Sequence, residues 1–253
     1  MKILLTNDDG IYASGLRILR SELLELGEIS IVAPATEQSA VGHAITLYNP
    51  LRVEEVRLNG EFYGCAVNGT PADCVKIATS ELLDGPPDLV VSGINRGANV
   101  GINVLYSGTV SAATEAAIMG IPGIAVSVGG YTNPRYDAAA RFTLRLARVV
   151  IKEGLPGGTA LNVNVPNLLE DEIRGVMFTR QSDARFVERF ERREDPRKQL
   201  YYWQAIETAS SERDAEDDDD IKALTEGFIS VTPLHHDMTN RRALELIRSW
   251  KLY

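Results

Sequence analysis

Through its first two-thirds the chain alternates short apolar runs with segments of helical spacing, and that alternation most limits what it can fold into. Ile3-Leu4-Leu5 opens as a strand-like run, after which Leu16, Leu19, Leu23 and Leu26 recur at helical spacing and Gly27 acts as a stop. Ile29 to Ala33 reads as a second strand, ended by Pro34. Residues 51–67 carry two β-like stretches around Asn59-Gly60, a hairpin signal. Thr70-Pro71 opens a further helix, with Thr70 as N-cap and Pro71 in its favoured first position. Asp88 to Ser92, Gly123 to Val128 and Ala160 to Val165 read as buried strands; Thr109 to Met119 and Asp137 to Lys152 read as helices. Strands separated by helices require right-handed crossovers and a mainly parallel sheet. The expected fold is α/β: a Rossmann-like core over residues 1–166, with helices flanking the sheet.

The character changes after Pro166. Val176 to Arg180, Leu200 to Ile206 and Phe228 to Thr232 read as isolated strands separated by charged loops. Asn240 to Trp250 reads as an amphipathic helix with Leu244, Ile247 and Trp250 on one side. So short a mixed region could hardly bury its own core. Residues 167–253 are therefore expected to form a C-terminal α+β extension that packs on the core or reaches to a neighbouring subunit. Within it, Glu212 to Asp220 holds seven acids against one arginine, the mark of a solvated loop.

Composition excludes several classes of function. No apolar stretch approaches the ~20 residues that span a bilayer, and carboxylates interrupt the N-terminus before a signal peptide can develop. No membrane partner is expected, and the expected location is cytoplasmic. Cys65 and Cys74 are too few for a disulfide framework and read as buried free thiols. A net charge of −9 argues against a stable nucleic-acid complex. Without the acidic run the balance is close to neutral, which leaves room for a small anionic substrate.

The chemistry concentrates where strands end. Thr6-Asn7-Asp8-Asp9-Gly10 follows the first apolar run directly, so two carboxylates are delivered to a strand tip. In open α/β sheets that edge is where ligands bind. Adjacent carboxylates repel, and a hard divalent cation with oxygen ligands relieves them. A plain capping role for Asp8 or Asp9 at the helix near Ala13 is the alternative, though neither directly precedes it. Ser92 to Gly101 leaves a later strand at the same edge, with three glycines and two asparagines. Asn95 supplies a neutral oxygen suited to a hard cation, or else bonds its own turn. Tyr106-Ser107-Gly108-Thr109-Val110 leads into an Ala-rich helix, where free backbone N–H groups make a phosphate cradle and an ordinary N-cap explains the same letters. No lysine follows as in a P-loop, and no G-x-G-x-x-G follows the first strand. Ser39, in the loop Glu37 to His43, leaves the second strand at this edge and is placed to reach a cation or substrate. His43, His235 and His236 have no assignable triad role.

These segments together match one family. TNDDG at 6–10, VAP at 32–34 with Ser39 beyond it, and VNGTPADCV at 67–75 begin the match. SGINRGANVG at 92–101, YSGTVSAATEA at 106–116, NVNVP at 162–166 and TPLHHDMT at 232–239 complete it. The chain resembles the SurE (survival protein E) family of metal-dependent nucleotidases acting on nucleoside monophosphates. The resemblance implies Asp8, Asp9, Ser39 and Asn95 as metal ligands, and Asn99 with Ser107, Gly108 and Thr109 as the phosphate site. It also implies a C-terminal extension exchanged between subunits, giving a homodimer or homotetramer. Two positions depart: Ala40 and Ala116 stand where the family usually or often has glycine. The geometry at position 40 is expected to survive unless it needs positive φ.

The expected protein is a phosphomonoesterase that hydrolyses nucleoside monophosphates with one divalent cation per subunit, Mg²⁺ or Mn²⁺. Asp8 and Asn99 carry the catalytic roles in this reading, and whether water or Asp8 attacks phosphorus stays open. Two alternatives stand beside it: a haloacid-dehalogenase-like phosphatase, whose carboxylates lie two apart, and a non-catalytic nucleotide sensor.

Overall fold

A computed structural model of the chain describes residues 1–210 and 218–252, without the side chains of 185–188 and 205–210. In chain order the elements are β1 (Lys2–Thr6), α1 (Ser14–Leu23), β2 (Glu28–Pro34), β3 (Val53–Leu58), β4 (Glu61–Val67), α2 (Pro71–Ile77), β5 (Leu89–Arg96), α3 (Gly108–Ile118), β6 (Gly123–Val128), α4 (Tyr136–Glu153) and β7 (Thr159–Val165). The C-terminal part adds β8 (Val176–Phe178), β9 (Arg185–Glu194), β10 (Leu200–Ser210), α5 (Asp220–Thr225), β11 (Ile229–His235) and α6 (Arg241–Ile247).

Nine strands form one sheet in the order β3-β4-β2-β1-β5-β6-β7-β11-β8. The six from β4 to β7 in that order run parallel. Their residues alternate between two cores because the strand period is two. Ile3, Leu5, Val91, Ile124 and Val163 face Leu16, Leu19 and Leu23 of α1 and Phe142 of α4. Leu4, Val32 and Val90 face Cys74 and Val75 of α2 and Ala112 and Ala116 of α3. The alanines of α3 let that helix lie close on the sheet. Antiparallel strands flank the parallel set: β3 joins through the Asn59-Gly60 turn, and β11 pairs with β7. Thus β8 and β11, which read as isolated strands in the sequence, are members of the central sheet.

From β1 the chain steps outward to β2 and β4, then returns to place β5 on the other side of β1. The carboxyl ends of β1 and β5 therefore meet at the topological switch point, the crevice where such sheets bind ligands.

Three sequence expectations need correction. Residues 185–194 read as a charged loop, yet β9 pairs antiparallel with β10 as a separate two-stranded ribbon. Seven of its ten residues are charged, and backbone pairing with β10, which follows directly across the turn at 195–199, holds it as a strand. The acidic run is not all solvated loop: most of it lies outside the described residues, but Asp219 and Asp220 are buried at the start of α5. The last helix covers only seven residues, 241–247, and Leu246, Ile247 and Trp250 are exposed. Among the described residues no helix is long and apolar enough to cross a membrane. Both cysteines are free; Cys74 is buried as expected and Cys65 only partly so.

Candidate active site

Asp8 and Asp9 do not cap α1, whose N-cap position is Ala13 with no side-chain bond. They leave the end of β1 toward different layers. Asp8 is buried against the N-terminus of α3, where the Thr109 hydroxyl donates to its Oδ1 at 2.5 Å and the Thr109 backbone N–H adds a second bond. A Cβ on Gly108 would lie 2.8 Å from the Asp8 Cβ, so only glycine lets the helix approach this closely. Burial pushes the Asp8 carboxyl above its usual range, against the pull of the Thr109 bonds. Asp9 borders an open cavity of about 510 Å³ shared with Ser14, Glu37, Arg96 and Tyr136. Burial, and then the charge of Asp8, raises its pKa to about 6. Two carboxylates that burial and mutual repulsion both disfavour are a site in want of positive charge.

The loop after β2 closes over this pair. The Gln38 backbone N–H donates to the Asp8 carbonyl at 2.7 Å, and Ser39 is exposed with its hydroxyl donating to Glu37 at 2.5 Å. Ala40 takes a positive φ of 56°, the conformation that favours glycine. Beyond it, Gly42 donates to the Tyr106 carbonyl at 2.9 Å, and His43 Nε2 lies 2.7 Å from Glu115 of α3. Lys76 donates to the other Glu115 oxygen at 3.0 Å. The His43 bond leads in holding the Glu115 carboxyl below its usual range. His43 is thus a clasp between loop and helix. Asp73 makes a second clasp: it accepts from the Thr46 N–H and hydroxyl at 3.0 and 2.6 Å while completing the capping box of α2 with Thr70.

Asn95, at the end of β5, donates its amide N–H to the Gly97 carbonyl at 2.8 Å. That is the turn-stabilising bond, and it leaves the side-chain oxygen as the atom available to a cation. Asn99 sits over β6 and β7 in a mesh of amides. Its backbone N–H donates to Asn164 at 2.8 Å and its carbonyl accepts from Asn162 and Asn164 at 2.8 and 3.1 Å. Its own side-chain amide donates to Ser127 at 2.9 Å. Ser107 is the N-cap of α3, accepting from the Val110 N–H at 3.1 Å.

The structure therefore gathers Asp8, Asp9, Gly108, Thr109 and the Ser39 loop around one strand end. Asn95 comes from the neighbouring strand, and Asn99 is held rigid farther along the same edge. Sequence reasoning passed over Glu37, Arg96 and Tyr136. Arg96 is the one of these with a signal, since it directly follows Asn95; Glu37 and Tyr136 look like ordinary surface residues until the fold assembles the cavity. The stacked pair His235 and His236 lies away from this group, at the end of β11.

The sequence model of the family described as "Survival protein SurE" matches residues 3–188. The chain belongs to the SurE family. It is 56% identical over 252 residues to a protein of Syntrophobacter fumaroxidans named "5'-nucleotidase SurE", each chain covered in full. It is 55% identical over 249 residues to a protein of the same name from Syntrophus aciditrophicus, with 98% of this chain and 93% of that one covered. The crystal structure of the SurE protein from Aquifex aeolicus superimposes with a TM-score of 0.85 at 41% identity, covering 98% of each chain. Membership in the SurE family removes the haloacid-dehalogenase-like alternative.

Proposed function

We propose that this chain is a nucleotidase, a phosphoric monoester hydrolase releasing phosphate from nucleoside monophosphates. The observation that carries the reading is the full-length match to relatives named 5'-nucleotidase, in a chain whose two adjacent carboxylates, Asp8 buried and Asp9 half-buried, stand at the switch point of the sheet. Their enzyme name favours hydrolysis over a sensor role and makes 5′ esters the first substrates to try. The cavity beside Asp9 is of the size that takes a small molecule.

Asp8, Asp9, Ser39 and Asn95 would hold a divalent cation, one per subunit. The fit rests on the donor set. These four side chains offer two carboxylates, a hydroxyl and an amide oxygen, with Glu37 close by, an oxygen-only set that suits Mg²⁺ or Mn²⁺ rather than softer ions. When bound, such a cation would balance the carboxylates and polarise the phosphoryl group. The chain's own groups do the rest. Thr109 fixes Asp8 in one orientation, so that it faces phosphorus as nucleophile or faces the attacking water as base. The Asn99 amide, the Ser107 hydroxyl and the Gly108 N–H would offer donors to phosphoryl oxygens as charge builds on them, while Thr109, whose donors go to Asp8, would act through that carboxylate.

The extension 167–253 supports assembly into a homodimer or homotetramer. Phe190, Tyr202 and Trp203 on the ribbon and Leu246, Ile247 and Trp250 at the C-terminal end are all exposed on the single chain. Exposed apolar side chains of this size and number mark an interaction surface, and exchange of the segment between identical copies would cover them. A panel of nucleoside monophosphates assayed for phosphate release with Mg²⁺ or Mn²⁺ tests the activity. Failure to release phosphate from any of them would remove the reading.

A further inference from the structure

The two feet of the β9–β10 ribbon stand on a single glycine of the phosphate loop. The incoming foot is residues 180–184 and the outgoing foot is residues 218–221, and they are tied to each other. Arg180 donates its backbone N–H to the Asp218 carbonyl at 2.8 Å, and Asp220 donates its own to the Arg180 carbonyl at 3.1 Å. Both feet then grip Gly101. Asp220, fully buried, accepts the Gly101 N–H at 3.0 Å with Oδ2 and the Ser182 N–H at 3.1 Å with Oδ1. Gln181 donates its side-chain amide to the Gly101 carbonyl at 2.8 Å. Gly101 is thus held at both its backbone donor and its acceptor by side chains that flank the ribbon.

Packing repeats the pattern. Gly101 takes φ +55°, and a Cβ there would meet Ile221 Cδ1 at 3.2 Å, the Ala184 carbonyl at 3.3 Å and Ser182 Cβ at 3.6 Å. Gly101 lies two residues after Asn99 and opens the 3-10 turn, residues 101–106, that ends at the Ser107 N-cap. The mesh of β7 asparagines fixes Asn99 from one side. Between Asn99 and Ser107 the path is held at Tyr106 by the Gly42 N–H, at Val104 by its packing, and at Gly101 by the ribbon's feet.

We propose that Asp220 and Gln181 are positioning residues for phosphate binding: by clamping Gly101 they hold Asn99 and the start of α3 in register, and they make the seating of the ribbon felt at the active site. The buried end of the acidic run gains a role by this. The proposal rests on the nucleotidase reading and on Asn99 and α3 as the phosphate site.

The test uses the full-length chain with saturating Mg²⁺, below the melting temperature of every variant. Gln181→Leu and Asp220→Ala are compared with the unaltered chain for KM and kcat on a nucleoside monophosphate and for inhibition by inorganic phosphate. The expected result is a rise in KM and in the phosphate inhibition constant of roughly fivefold for Gln181→Leu, the equivalent of one lost hydrogen bond. Asp220→Ala, which loses two, should rise further, with kcat changing less than KM in both. A purely structural role would lower the melting temperature and leave both constants unchanged, and that result overturns the proposal. If Asp220→Ala does not fold, Gln181→Leu decides alone. Asn99→Ala runs alongside. Should it raise KM while the clamp variants do not, the clamp is wrong and the phosphate site stands. Should it have no effect while the clamp variants raise KM, the clamp stands and the phosphate contact moves to the start of α3.

Discussion

The switch-point edge and the β9–β10 ribbon are built on opposite terms. At the edge, β1 and β5 lie between two helical layers, and Asp8, Thr109 and the Gln38 backbone satisfy one another within the chain. The ribbon pairs only with itself and leaves Phe190, Tyr202 and Trp203 exposed. One region is packed on both faces within a single copy. The other presents apolar surface that a single copy does not cover. The difference teaches that burial within the chain makes a region both rigid and readable, and that surface shaped for another chain is neither.

The comparison breaks by the widest margin if the edge is not where the chemistry occurs. Asp8→Asn keeps the side chain's shape and removes its charge. It should lower phosphate release by on the order of a thousandfold, the scale of losing one preorganised group at developing charge. Circular dichroism should remain native. Asp9→Asn should lose activity through weaker metal binding, and excess Mg²⁺ should restore part of it. Activity within about tenfold of the unaltered chain for Asp8→Asn would show that the edge has been misassigned.

The ribbon's side of the comparison turns on assembly. Light scattering at micromolar concentration should give the unaltered chain the mass of two copies or four. Deletion of residues 241–253 should reduce that mass or the solubility. A stable, active monomer would mean that the exposed C-terminal surface needs no partner.

The same contrast governs what the letters disclosed. The parallel core was legible because hydrophobic period, caps and turns agree there: Thr70-Pro71 caps α2, Asn59-Gly60 turns the β3–β4 hairpin, and Gly123–Val128 is one unbroken buried strand. The carboxylate pair was legible because it follows an apolar strand directly. The ribbon was not, since Arg185–Glu194 is mostly charged and its letters carry no regular apolar period. Glu37 and Tyr136 were hidden for a different reason: only the tertiary fold brings the loop after β2 and the start of α4 to one cavity. Asp220 was read as solvated because a run of acids gives no sign of which carboxylate finds backbone donors.

Where the two regions join, Asp220 makes stability depend on pH. Burial raises its pKa from 3.8 to about 6. The folded state therefore holds this proton more tightly than the unfolded state. The group's contribution is fully present below about pH 4 and is lost as pH rises through about 6. The loss is on the order of 3 kcal/mol. Urea unfolding of the unaltered chain and of Asp220→Asn, followed from about pH 4 to about pH 7, should show the difference between them shifting by that amount in favour of Asp220→Asn. A difference independent of pH would mean that Asp220 is charged throughout and that the clamp has some other source of compensation.

The smallest effect lies in the loop that carries Ser39. Ala40 holds a φ of 56°, which strains an alanine by roughly 1 kcal/mol relative to glycine. Ala40→Gly should raise unfolding stability by about that much, read from the denaturation midpoint, with activity little changed. A loss of stability would mean that the loop relaxes elsewhere and the turn is not strained.

The central claim is that the adjacent carboxylates Asp8 and Asp9 at the switch point act on a nucleotide through a divalent cation, and one measurement reaches it directly. Phosphate release from a nucleoside 5′-monophosphate is followed in enzyme stripped of metal by exhaustive chelation, before and after Mg²⁺ or Mn²⁺ is restored. The account predicts that turnover disappears in the stripped enzyme and returns with the cation. Undiminished turnover in metal-free enzyme would contradict it.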